Sequence, residues 1–150
     1  MPTVITLRNP RALMLPNITA IIDRAFTSVK IVAPGGLNTV AEDLFKMIND
    51  PLQFLMIGME AGEPKSVIMG FLPNTNLFPY PTVTLFYNEG SKELLRASKA
   101  YLFDTLSQAG YTKCWAINST GRSDAAWIRV FSDEHVAMKP IGSVIELSVK

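Results

Sequence analysis

Between Thr82 and Asn118 the chain reads as strand, capped helix, strand, and this order restricts the fold more than any other feature. Thr82-Val83-Thr84-Leu85-Phe86-Tyr87 is β-branched and aromatic, as strands favour. Ser91 can cap the helix that follows, and Leu94, Leu95, Ser98, Leu102, Thr105 and Leu106 share one of its faces. Gly110 stands where a helix-ending glycine belongs, and Tyr111 to Asn118 is a further strand. Two strands flanking one helix are expected as parallel neighbours joined by a right-handed crossover.

The upstream half supplies antiparallel partners. Gln53–Glu60 and Ser66–Phe71 flank the turn Ala61-Gly62-Glu63-Pro64, a hairpin signature. Val4–Leu7 reads as a short first strand. Pro16 suits the first turn of a helix that carries Ile18, Ile21, Ile22, Ala25, Phe26 and Val29 at helical spacing. Ala33-Pro34-Gly35-Gly36 breaks the chain. Asn38 or Thr39 can cap a second helix with Val40, Ala41, Leu44, Met47 and Ile48 buried, and Asn49-Asp50-Pro51 ends it. Pro73–Pro81 is a long loop in which Leu77, Phe78 and Tyr80 offer apolar contact surface. Downstream, Ser119-Thr120-Gly121 turns the chain. Ser123 or Asp124 starts a short helix to about Asp133, and Val136–Met138 and Ser143–Val149 read as closing strands. The expected order is β-α-α-β-β-β-α-β-α-β-β. It describes an α/β (α+β) domain over residues 1–150 with a mixed sheet and helices on both faces.

Composition bounds the function classes. At 150 residues, 48% apolar and 18% charged, the chain can bury a real core. A formal net charge of +1 gives no electrostatic reason to expect nucleic acid or an anionic membrane as partner. Apolar runs such as Phe54–Ile57 fall far short of the roughly 20 residues a membrane helix needs. Met1-Pro2-Thr3-Val4 lacks the basic and apolar segments of a secretory signal, so a cytoplasmic location is expected. One Cys and one His support neither an internal disulfide nor a structural zinc site.

This order resembles that of the GNAT-type N-acetyltransferases over nearly the whole chain. Ile57 to Phe71, ending Ile68-Met69-Gly70-Phe71, is similar to the family's central hairpin. Ala109-Gly110-Tyr111 is similar to the end of its main helix. Ile128-Arg129-Val130-Phe131 matches the Ile-Arg-x-Tyr position of its last helix. The resemblance implies that splayed parallel strands hold the pantetheine arm of acetyl-CoA, and that the loop before the main helix holds its diphosphate. A helix N-terminus offers unpaired N–H groups and the positive end of a dipole to such an anion. It also implies a base that deprotonates the substrate amine and a tyrosine that protonates the leaving thiolate.

Residue by residue, the family pattern is only partly present. Of the glycine-rich phosphate loop, Asn88-Glu89-Gly90-Ser91-Lys92-Glu93 keeps Gly90 alone, and Glu89 and Glu93 would lie near a diphosphate. If CoA binds, the candidates to hold it are Phe86, Tyr87, Gly90, Ser91, Lys92 and Asn118. Asn118 could equally satisfy the following turn. Thr82–Tyr87 carries no carboxylate where the family often has a glutamate. Glu60 and Glu63 are the substitutes for a base, with a solvated hairpin tip as the alternative. Phe131 stands at the usual tyrosine and cannot donate a proton, which leaves Tyr87 as the candidate acid or a packing residue. Asp124 and His135 sit at family positions that a helix cap and a surface side chain would also explain. Cys114 reads as a buried thiol, and Trp115 and Trp127 as core or interface residues.

These departures imply a fold kept after its chemistry was lost or weakened. Trp127 to Ile141 is similar to the end of small internal virion proteins of short-tailed phages, which implies protein partners, virion components among them, and a host-cytoplasmic or virion location. The expected function is thus a non-catalytic or weakly active accessory protein. The alternative is an acetyl-CoA-dependent N-acyltransferase acting on an amine. A module that binds CoA without turnover stands between them. No cofactor is fixed by the residues themselves; acetyl-CoA is the one the resemblance implies.

Overall fold

A computed structural model describes residues 2–28, 37–73, 78–118, 123–133 and 136–142, with the side chains of 37–41 excepted. The expected loop at 33–36, the caps Asn38 and Thr39, Val29, Leu77, the turn at 119–121, His135 and the strand at 143–149 lie outside the described residues or side chains. The chain divides into two compact units, Met1–Thr120 and Gly121–Lys150.

The first unit is built on a five-stranded mixed sheet whose spatial order follows the chain. Thr3–Thr6 (β1), Gln53–Glu60 (β2), Glu63–Phe71 (β3) and Thr82–Asn88 (β4) pair antiparallel in succession. Trp115–Ala116 (β5) pairs parallel to β4 through Thr82 and Val83, as the strand–helix–strand order predicts. The helices are Pro16–Thr27 (α1), Leu37–Asn49 (α2) and Lys92–Gln108 (α3), and a 3₁₀ turn over Pro10–Met14, which the sequence reading missed, precedes α1. No helix among the described residues is long and apolar enough to cross a membrane.

Side chains alternate across a strand, so each strand serves both faces of the sheet. One face carries Leu55, Ile57, Val67, Met69 and Leu85, which cluster with Ile18, Ile21, Ile22 and Ala25 of α1 and Leu44 and Ile48 of α2. Each large aliphatic side chain among them contributes about 1.5–3 kcal/mol on burial, and the face toward α3 buries Phe54, Met56, Ile68, Leu94, Leu102 and Leu106 in the same way. The other face meets α3. There Ser66 Oγ and Ser98 Oγ share a buried hydrogen bond of 3.0 Å, which satisfies both hydroxyls where β3 and the helix meet.

The hairpin turn is shorter than the sequence suggests. Only Ala61 (φ 53°) and Gly62 (φ 79°) turn the chain, both left-handed, as a tight two-residue hairpin demands. Pro64, expected in the turn, lies in β3 opposite Met59, and the register shifts there by the extra residue Lys65. Proline has no N–H to give a ladder, and a bulge is where a strand tolerates it.

The fifth strand is also shorter than expected. Tyr111 N–H donates to Leu106 O (2.9 Å) and Gly110 N–H to Ser107 O (2.9 Å), while Gly110 has φ 92°. This is a Schellman closure of α3, and it engages the Tyr111 amide in capping the helix instead of extending the strand.

In the second unit Ser123 caps Asp124–Phe131 (α4), its Oγ accepting from Ala126 N–H at 3.2 Å. The indole of Trp127, which is buried, lies 4.5 Å from the ring of Phe131, centroid to centroid. Val136–Met138, expected as a strand, is not one. Val136 N–H donates to Asp133 Oδ1 (2.9 Å) and Asp133 N–H to Val136 O (3.1 Å), so Val136 closes a local turn.

Candidate functional site

The C-terminal end of β4 runs through Asn88-Glu89-Gly90-Ser91 into α3. Ser91 caps the helix as predicted, its Oγ accepting from Leu94 N–H at 3.2 Å. Asn88 folds the turn on itself: its Oδ1 accepts from Gly90 N–H at 3.2 Å, and its Nδ2 donates to the carbonyls of Gly90 and Ser91. Glu89 N–H donates to Lys65 O at 2.9 Å, which ties the turn to the bulged start of β3.

Glu60 completes the turn from across the sheet. Its carboxylate accepts Ser91 N–H at 3.1 Å and the Ser91 hydroxyl. The two Ser91 hydrogen bonds, side chain first and backbone second, hold its pKa below the ordinary glutamate value. Glu60 therefore supplies the negative charge that the N-terminus of α3 favours. A general base working near neutral pH needs a raised pKa, and this carboxylate is shifted the other way. Gly90 lies beneath it: a Cβ there would sit 3.2 Å from Glu60 Oε1, 3.1 Å from Lys65 Cβ and 2.7 Å from Leu94 Cδ2.

Glu89, which by sequence would confront a diphosphate, is drawn aside. Arg24 of α1 donates to it from Nε (3.1 and 2.9 Å) and from Nη2 (2.7 Å), and the Tyr87 hydroxyl donates to its Oε2 at 2.8 Å. The Arg24 hydrogen bond chiefly keeps the Glu89 carboxyl below its ordinary pKa, while burial chiefly raises that of Tyr87. Tyr87 therefore holds a proton at neutral pH with its O–H already directed at a carboxylate.

The candidates do not converge equally. Tyr87, Gly90, Ser91 and Glu60 meet at this turn, and Lys92 opens α3 as an exposed residue beside it. Phe86 is buried, and as the neighbour of Tyr87 in a strand it points to the opposite face. Asn118 follows Ile117, whose N–H donates to Val83 O at 2.8 Å. Sequence reasoning missed Arg24 and the bulge in β4, where Met69 pairs with Leu85 but Gly70 with Val83, leaving Thr84 as the extra residue. Arg24 stands far from Glu89 in sequence, and no local signal marks either.

The loop before β4 offers less surface than expected. Phe78 meets Phe71 edge-on (5.4 Å) and Trp115 (6.2 Å), and Tyr80 also meets Trp115 (5.7 Å), so these rings pack on the chain's own strands. Larger exposed apolar side chains lie elsewhere, with Met14 75% and Leu15 52% accessible just before α1.

No family model and no curated protein sequence matches the chain. Solved structures do. A ribosomal-protein-alanine N-acetyltransferase from Brucella melitensis biovar Abortus 2308 superposes with a TM-score of 0.66 at 10% identity, covering 98% of this chain and 100% of that one. A GCN5-related N-acetyltransferase from Ralstonia eutropha JMP134 gives 0.62 at 14% identity over 94% and 99%. An aminoglycoside acetyltransferase from an uncultured soil metagenomic sample, in complex with sisomicin, gives 0.61 at 9% identity over 98% and 97%. The chain has the acyl-CoA N-acyltransferase fold.

Proposed function

We propose that the chain keeps this fold without turning over acetyl-CoA and acts as an accessory protein through contacts with other proteins. The observation that carries the proposal is the Glu60–Ser91 contact. In the resembling family the diphosphate sits at the turn into the main helix. Here a carboxylate of the chain already engages that turn. A diphosphate brought beside it would meet repulsion of about 4 kcal/mol for unit charges about 4 Å apart at an effective dielectric near 20. The Tyr87 hydroxyl, directed at Glu89, and the absence of a carboxylate between Thr82 and Tyr87 support the same reading, as does, in sequence alone, the phenylalanine at position 131 where the family has a proton-donating tyrosine. Met14 and Leu15, adjacent and exposed, are apolar side chains that such contacts could cover. The resemblance of Trp127–Ile141 to tailed-phage proteins supports virion components as the partners.

Titration of the purified chain with acetyl-CoA by calorimetry, beside a thermal-shift assay, tests this. The expected result is no heat and no shift. Saturation at about 100 times a dissociation constant would instead add about 2.7 kcal/mol of stability and overturn the proposal.

A second reading, an N-acyltransferase, is favoured by one observation. Among the described residues, the amides of Lys92 and Glu93 make no hydrogen bond to the chain, so α3 still has donors for an anion. On this reading acetyl-CoA displaces Glu60, and Tyr87→Phe lowers turnover of an amine substrate while leaving acetyl-CoA binding intact.

A further inference from the structure

A cavity of about 130 Å³ lies between β2 and the C-terminal turn of α3, at the other end of that helix from Ser91. Phe54, Met56, Leu72 and Leu106 give it apolar walls, Thr105 adds a hydroxyl, and Arg8 is its one charged lining residue. A dry cavity of about 150 Å³ with aliphatic and aromatic walls accepts a benzene ring, so this one has room for a single ring or a short branched chain.

Arg8 is half engaged. Its Nη1 donates to the carbonyls of Gln53 (3.1 Å), Asp50 (3.3 Å) and Ile48 (3.4 Å). Among the described residues, Nε and Nη2 make no hydrogen bond, and the ion pair that is present lies elsewhere, between Arg24 and Glu89. The nearby Asp50 carboxylate is turned to other donors: Leu52 N–H at 2.9 Å and Gln53 Nε2 at 2.9 Å. The last turn of α3 would oppose an anion through its carbonyls, but those of Thr105, Leu106 and Ser107 already accept N–H groups from Ala109, Gly110 and Tyr111. The Asp50 charge offsets the guanidinium only through space, with no side-chain hydrogen bond between the two among the described residues, and a planar carboxylate is the group that fits the remaining Arg8 donors.

We infer that this cavity is a binding site for a small apolar carboxylate, an aromatic or branched short-chain acid, with the apolar part in the cavity and the carboxylate on Arg8. The inference does not depend on whether acetyl-CoA binds at the other end of α3.

Titrating the ¹⁵N-labelled full chain with sodium benzoate at constant ionic strength, and following amide resonances, tests the inference. Saturable shifts confined to Phe54, Leu72, Thr105 and their neighbours are expected. Benzyl alcohol, which keeps the ring and loses the charge, should bind at least tenfold more weakly. Arg8→Gln should weaken benzoate at least tenfold, and Arg8→Lys less. Ala109→Phe, a change at an exposed residue that lines the cavity, should block binding while Arg8 stays in place. Absence of saturable shifts, shifts centred elsewhere, equal affinity for benzyl alcohol, or unchanged binding in both Arg8→Gln and Ala109→Phe would each overturn it.

Discussion

Glu60, at the end of one strand, receives the main-chain N–H of Ser91 at 3.1 Å, which fastens the first hairpin to the N-terminus of the longest helix. The contact joins two stretches that are unremarkable separately: a hairpin tip and a serine cap. Together they place a carboxylate where a helix start most favours one.

Glu60→Gln should lower the melting temperature at pH 7, with the difference fading in acid. The sign follows from the depressed pKa of Glu60. A carboxyl held below its unfolded value, about 4.3, contributes stability above that pH and loses it as pH falls through the folded value. Thermal melts of both proteins between pH 7 and 3 should therefore converge toward the acid end. Parallel curves would show that the charge at Glu60 is immaterial.

Ser91→Ala should cost about 1 kcal/mol in denaturant unfolding, the usual worth of a lost N-cap. It also removes the hydroxyl donor to Glu60, so combining it with Glu60→Gln should cost less than the sum of the single changes. Simple additivity would deny that these residues work as a pair.

Gly70→Ala should be among the most damaging single changes. A Cβ there would stand 2.3 Å from Thr82 O and 2.5 Å from Phe54 Cζ, and the first of these is backbone that cannot swing away. A loss of about 1–3 kcal/mol, the usual cost of overpacking, is the minimum expected. Gly142→Ala, with nothing within 4 Å of its added carbon, should stay within about 0.5 kcal/mol of the parent in the same assay.

Cys114 should react slowly with a disulfide reagent at pH 8. Burial pushes its thiol up to about 11, against a lesser opposing effect from a backbone hydrogen bond. The neutral thiol is thus favoured by the folded state. Its contribution is complete below the unfolded value near 8.5 and is lost as pH rises toward 11. Reaction rates measured from pH 7 to 11 should climb well beyond pH 9 in the native protein and level off earlier in denaturant.

How much was legible depended on the range of the interaction. Ser91 as a cap, Gly110 as a helix end and the existence of the hairpin, though not the two-residue length of its turn, were recoverable because the deciding groups lie within a few residues of one another. The parallel pairing of β4 with β5 was recoverable because a helix between two neighbouring strands carries the chain back to the end where the first began. The strand expected over Tyr111–Asn118 was cut to Trp115–Ala116 because the Tyr111 amide turned back to Leu106, a competition between helix end and strand start that pattern alone cannot weigh.

By itself the sequence determined the order of the main helices and strands from Thr3 to Ala116 and the apolar faces that pack them, since propensity, capping and periodicity act locally along the chain. It also determined which side chains near α3 carry charge. Which charges meet was decided only in three dimensions. Arg24 reached Glu89 and Glu60 reached Ser91 because α1 and the hairpin pack beside the same turn. Glu89, which looks self-repelling beside Glu93 in one dimension, is once folded paired with Arg24 and hydrogen-bonded to Tyr87. Electrostatic energy depends on distance through space, and only the packed sheet and helices set those distances.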